Sequence, residues 1–248
     1  LLIFILTLAV IFYLFFILKR NYDTYKAWRP WLNFIGAIAV FIVVGRGGFQ
    51  LKPVGVIEAT NYCSLQNAPA VLNSAFTILK TLTNEGVERK TYFNKIELNS
   101  IFNPVQVTQP RDLLPNNTNV VFILFESYGS MYVGPGNKES YTPYLDSVLS
   151  ESMYFEHGVA NSRTSMDGLP AAVASIPTWM NESFILSSYS MNQFQSLPSV
   201  LKDNGYSTSF FHSSTNGSMR FDAFSAAAGF DRYYGRSEYP YAKHYDGN

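Results

Sequence analysis

The chain has 248 residues, 47% hydrophobic and only 15% charged, with 18 basic against 18 acidic side chains and a formal net charge of zero. So low a charged fraction, against roughly 25% in an average soluble protein, points to residence partly in lipid, and this much hydrophobicity excludes wholesale disorder. No basic excess exists to drive binding to a phosphate backbone, so nucleic acid is excluded as a partner, and the single Cys63 excludes an internal disulfide framework and a thiolate zinc cluster.

Residues 1–18 (LLIFILTLAVIFYLFFIL) hold no charge and no helix breaker, which meets the length criterion for a spanning helix. A secretory signal would show a shorter apolar core, a basic start and a small-residue cleavage site. Leu1 already lies inside the apolar run, so the sequence is read as starting within a longer chain. A second uncharged run, residues 30–45 (PWLNFIGAIAVFIVVG), would give a helix of about 24 Å, short against about 30 Å of hydrocarbon core. Trp28 and Trp31 at an interface, with Arg29 and Arg46 reaching outward, extend it; a buried core helix is the other reading of such a run. The connector carries Lys19, Arg20, Lys26 and Arg29 against Asp23, which makes it cytoplasmic by the positive-inside rule. The expectation is a multi-pass protein of the cytoplasmic (inner) membrane, with a transmembrane region over 1–52, spans at about 1–18 and 30–45, and everything after Arg46 extracytoplasmic.

Beyond the spans, Gly45, Gly47, Gly48 and Pro53 break any helix. Pro69 opens a helical pattern in which Leu72, Ala75, Phe76, Leu79 and Leu82 share one face. The stretch from Thr83 to Asn119 lacks periodicity and holds Pro104, Pro110 and Pro115, so 53–118 reads as a juxtamembrane helix and linker. From Asn119 strands and helices alternate. Val120 to Phe125 (VVFILF) is expected as a strand buried on both faces. Thr142 and Pro143 start a helix through Ser150, a second runs from Met166 to Ile176, and a third from Pro198 to Asp203 stops at Asn204 and Gly205. Tyr206 to Phe211 reads as a strand and Arg220 to Ala228 as a helix ended by Gly229. The order implies an α/β domain with a mostly parallel sheet flanked by helices.

Ligands bind beyond the carboxyl ends of strands in such sheets, and Glu126 stands there, directly after the apolar run in FILFESYGS. A carboxylate at that place is a candidate ligand for a hard metal, although capping a helix is the commoner role of an isolated Glu. In NSRTSMDGLP, Thr164 and Ser165 precede a helix, where unpaired N–H groups and the helix dipole suit a phosphate or sulfate and its transition state; capping alone also places hydroxyls there.

Taken together, FILFESYG, YTPYLDSVLSESMYFEHGVANSRTSMDGLPA, LPSVLKDNGYSTSFFHSS and AGFDRYYG resemble the lipoteichoic acid synthase branch of the sulfatase-like, alkaline phosphatase superfamily, whose members are membrane phosphoglycerol transferases. The resemblance covers about 119–248 and implies an alkaline phosphatase-like catalytic domain outside the cytoplasm. It gives Glu126 the part of the acidic metal ligand and makes a hydroxyl before the helix both nucleophile and metal contact. Two registers compete: spacing to a following small and an apolar residue favours Ser165, and a hydroxyl behind a basic residue gives Thr164, after Arg163. His212, Arg220 and Asn216 follow the strand ending at Phe211 and are implied substrate contacts, although a loop role is the stronger expectation for Asn216. His157 and His244 carry no such support and read as loop or surface residues.

The implied cofactor is a divalent metal, manganese first with magnesium or zinc as alternatives. The implied partners are a membrane lipid donor and a cell-envelope glycan or lipid acceptor; oligomeric state is undetermined. The implied reaction moves a phosphoglycerol-like group to the acceptor through a covalent intermediate on Ser165 or Thr164. A hydrolase of phosphate or sulfate esters and a non-catalytic membrane-bound binding module are the alternatives. No C-x-P-x-R string occurs here, which argues against formylglycine sulfatase chemistry. The family's later Asp-His pair is also missing, and Asp246 follows no apolar strand. The domain is therefore expected to be truncated at 248, its sheet and metal site incomplete, its metal binding weak and its turnover low.

Overall fold

The structure is a computed structural model and describes residue 13 and residues 29–49, 53–82, 86–88, 90–102, 117–133, 141–155 and 157–240. The first expected span, apart from Tyr13, and the basic connector up to Trp28 lie outside the described residues, as do His244 and Asp246. The second apolar run forms helix α1, Arg29–Arg46. Its large side chains stay uncovered, Trp31 at 69% and Phe41 at 64% exposed. At 18 residues the helix measures about 27 Å, and among the described residues no helix is long and apolar enough to cross a membrane.

The expected juxtamembrane helix is two short ones, α2 at Ala68–Val71 and α3 at Ser74–Thr81. Asn73 separates them, because its side chain accepts the N–H groups of Ala75 and Phe76 and so caps a new helix. The linker contains a further helix, α4 at Lys95–Ile101, started by Asn94, whose side chain accepts the Glu97 N–H. Four helices follow in the region expected to be α/β: α5 Pro143–Ser150, α6 Ser165–Ala174, α7 Leu197–Asp203 and α8 Phe221–Ala227.

Two strands pair in parallel, β1 Ser209–Phe211 with β2 Arg232–Tyr234, in the register Phe210 opposite Tyr233. Phe210 and Tyr233 stack with centroids 5.7 Å apart, a cross-strand aromatic pair that helps hold the register. β2 was not expected from sequence. The apolar run 120–125, by contrast, is not a buried strand. It pairs in no ladder among the described residues and is exposed, Val121 at 82% and Ile123 at 66%. Alternate residues Val120, Phe122 and Leu124 line a cavity of about 290 Å³ whose far wall includes β1. An apolar run is buried on both faces only where layers cover it, and here a cavity separates it from its nearest sheet edge.

The core joins Leu169 and Val173 of α6, Ile185, Phe221, Ala223 and Phe224 of α8, Ala228, and Ile57 from far earlier in the chain. Phe194 stacks on Phe224 at 6.0 Å and Phe184 meets both edge-on. Burial of aromatic area of this kind dominates core energetics.

Candidate functional site

The site is organised by the start of α6. Thr164 is its N-cap, with extended backbone angles (φ −126°, ψ 149°), and Ser165 is its first helical residue. The Thr164 hydroxyl does not cap the backbone; it donates to Asp167 Oδ2 at 2.7 Å. The Ser162 hydroxyl reaches the same oxygen at 3.2 Å. Asp167 in the first turn also suits the positive end of the helix dipole. Asn161 Oδ1 accepts the Thr178 N–H at 2.7 Å, which ties the approach to α6 to the chain beyond its end.

Pro170 sits inside α6, where it lacks the N–H that would bond the Met166 carbonyl four residues back. The Ser183 hydroxyl takes that place, donating to the Met166 carbonyl at 2.9 Å. The helix survives its proline because a side chain satisfies the released acceptor.

Ser165 is the hydroxyl left to meet the segment that ends the apolar run. Its Oγ donates to Glu126 Oε2, so the two residues singled out from segments 39 positions apart in sequence stand in direct contact. The next residue, Ser127, has φ 54°. Left-handed conformations are costly for a residue with a Cβ and cluster where a site imposes them. Thr164 makes its contact with Asp167 instead.

The implied substrate contacts stand elsewhere and are already engaged. His212 follows β1, is half-buried, and its Nδ1 lies 3.0 Å from the Tyr233 hydroxyl. Burial lowers the His212 pKa, opposed by the Asp222 carboxylate, and burial pushes Tyr233 up to about 12, reinforced by Asp222 and Glu238. The pair is therefore a neutral imidazole with a neutral phenol at pH 7. Arg220, expected to meet substrate, pairs through Nε with Glu58 Oε1 at 2.8 Å and donates from Nη2 to the Pro53 carbonyl at 3.1 Å. Asn216 donates to both oxygens of Glu238 at 2.9 and 3.0 Å and accepts the Ser237 N–H, which is the loop role. His157 is exposed. Glu58 was missed from sequence, because nothing local marks a partner so distant in the chain.

A comparison with known protein families matches residues 118–248, just over half of the chain, to the family described as Sulfatase. The chain belongs to the sulfatase family. No solved structure matches it. The α/β arrangement of helices around a small parallel sheet is compatible with the sulfatase fold, and family membership makes this the scaffold of an enzyme acting on phosphate or sulfate esters, by hydrolysis or transfer.

Members of the sulfatase family typically use a divalent metal. The Glu126 carboxylate and Ser165 hydroxyl fit a hard cation in kind, since both are oxygen donors. They fall short in number. Among the described residues no group of three or more His, Cys, Asp or Glu side chains could hold a metal ion, whereas a hard divalent cation takes six or more oxygens.

Proposed function

We propose that the full-length protein is a membrane-anchored transferase that moves a phosphoglycerol-like group from a lipid donor to a cell-envelope glycan or lipid acceptor, with Ser165 as nucleophile. What carries the reading is the contact between Ser165 Oγ and the Glu126 carboxylate at the N-terminus of α6. A hydroxyl in that place can lose its proton toward the carboxylate while the unpaired N–H groups of the first turn face the anionic phosphorus centre. Ser165 Oγ attacks phosphorus as its proton passes to Glu126, the lipid oxygen leaves as the alcohol with that proton, and the phosphoglycerol group on Ser165 then moves to the acceptor alcohol, whose proton returns to Ser165 Oγ by way of Glu126. A divalent metal, manganese first, would bind at Glu126 and Ser165, lower the hydroxyl pKa and offset phosphoryl charge.

A lipid donor accords with the uncovered apolar α1 ahead of the domain. Hydrolysis of a phosphate or sulfate ester is the competing reading on the same scaffold, differing only in water as acceptor. The full-length protein, incubated with vesicles containing a lipid with a glycerol phosphate head group and analysed by mass spectrometry, separates them. The expected product is an acceptor carrying glycerol phosphate; free glycerol phosphate or free phosphate alone would establish the hydrolase. Ser165→Ala is expected to reduce product to background, while Thr164→Ala, which removes only the contact to Asp167, keeps most of it. Full activity in both variants would discard the covalent mechanism.

A further inference from the structure

Residues 53–62 precede the matched sulfatase region, yet they are built into its core. Ile57 is fully buried beside Phe221, Ala223 and Phe224. The Thr60 hydroxyl donates to the Ala223 carbonyl at 2.7 Å, and Asn61 Nδ2 donates to Asp222 Oδ2 at 3.1 Å. Glu58 uses one carboxylate oxygen for Arg220 at 2.8 Å and the other for the Gly55 N–H at 2.8 Å. The side chains of this ion pair are only 15% and 22% exposed for Arg220 and Glu58, well shielded from the screening that weakens surface pairs.

The pair also sets backbone shape at both of its ends. A Cβ at Gly55 would fall 2.1 Å from Arg220 Nη1, so a larger residue there would displace the guanidinium from its present position. Met219 and Arg220 adopt φ 53° and 58° in succession, a conformation that L side chains resist and that persists only where surroundings enforce it. At its other end the segment meets α1, since the Val54 N–H donates to the Arg46 carbonyl at 3.3 Å.

We propose that residues 53–62 form a strap that joins the end of α1 to α8 and holds the 212–220 loop in shape, with Glu58 as its positioning residue. That loop carries His212, Asn216 and Arg220, each held by a partner within the protein. The docking itself rests only on the contacts above. The strap makes the loop's conformation depend on a segment that is hydrogen-bonded to the end of the apolar helix.

The test uses the full-length protein in detergent with Cys63→Ser. Asn61→Cys and Asp222→Cys together are expected to be joined by a short bifunctional thiol reagent such as dibromobimane, which spans the gap that the two longer side chains bridge here, detected by peptide mass analysis, and neither change alone gives the cross-link. A double variant that melts like the parent but does not cross-link would overturn the docking. Glu58→Gln is then expected to speed amide hydrogen exchange across 212–220 by roughly tenfold or more, with 197–203 unchanged, and Glu58→Asp, which keeps the charge, to restore part of the protection. Unchanged exchange in 212–220 overturns the positioning role, and so does an equal rise in 197–203, which would mark a merely structural contact. Neither readout needs turnover, so a protein that cross-links and responds locally but transfers nothing keeps the strap and loses the transferase reading.

Discussion

Asp231 holds the turn between α8 and β2 to the strand before it. One carboxylate oxygen accepts both the N–H and the hydroxyl of Thr208, at 2.9 and 3.1 Å, and the other pairs with Lys202 at 2.6 Å. Lys202 first, and the Thr208 backbone next, hold its carboxyl down at about 2, against 3.8 for a free group. The unfolded chain thus takes up the proton before the folded one as pH falls. The stabilisation is present above about pH 4 and is lost as pH falls toward about 2. Urea midpoints of wild type and Asp231→Asn are therefore expected to differ at pH 6 and to converge near pH 2; a difference that persists at pH 2 would assign the effect to amide geometry and not to charge. His212 acts in another window. Its pKa is lowered by burial, so the unfolded chain protonates first from about pH 6.5 downward, and stability falls there independently of Asp231. At this scale the sequence showed which residues could matter and not what they touch. Ser165 and Thr164 are adjacent hydroxyls with similar local signals, and the difference between them is a partner 39 residues away.

Elements were legible where their ends carry chemistry. Pro143, the Asn204-Gly205 pair and Gly229 fixed α5, α7 and α8 to within a residue or so, because caps are local. β2 was not legible, since three residues, Arg232–Tyr234, are too few for a period. The break between α2 and α3 was missed because the apolar stripe runs on through Asn73, whose side chain competes for the backbone. α7 shows what a cap can carry. Ser196 and Ser199 bond each other's backbone in a reciprocal capping box, and the Ser196 hydroxyl also donates to the Ala228 carbonyl beyond α8. Gly229, at φ 87°, lets the chain turn against Ser199, which a Cβ there would meet at 3.4 Å. Ser196→Ala removes a cap and leaves a buried carbonyl unpaired, so a loss of about 1–3 kcal/mol is expected from chemical denaturation. Ser199→Ala breaks the box without orphaning Ala228 and is expected to cost less; equal losses would show that the α7 to α8 link contributes nothing.

At the scale of the whole molecule, the sequence divided the chain at about residue 118, and packing does not respect that division. A core running from Ile57 to Ala228 cannot be read from local pattern, because Ile57 has no periodic neighbours that mark it as buried. Helix α1 poses the complementary problem. Its apolar side chains face outward on all sides, with Leu32, Ile35, Ile42 and Phe41 each more than half exposed, and so large an apolar surface needs a covering. Lipid is the covering proposed, with Arg29 and Arg46 as the first and last residues of the helix. The direction proposed, with the basic connector on the cytoplasmic side, rests on the positive-inside rule. In intact cells expressing the full-length protein with Cys63→Ser, a cysteine introduced as Glu151→Cys at the exposed end of α5 is expected to react with an impermeant maleimide. One introduced as Thr24→Cys in the connector should react only after permeabilisation. The opposite pattern would place the Ser165–Glu126 contact in the cytoplasm and remove the cell-envelope acceptor. Reaction of both sites in intact cells would show that α1 does not separate two compartments, and the apolar helix would then need a protein surface to cover it.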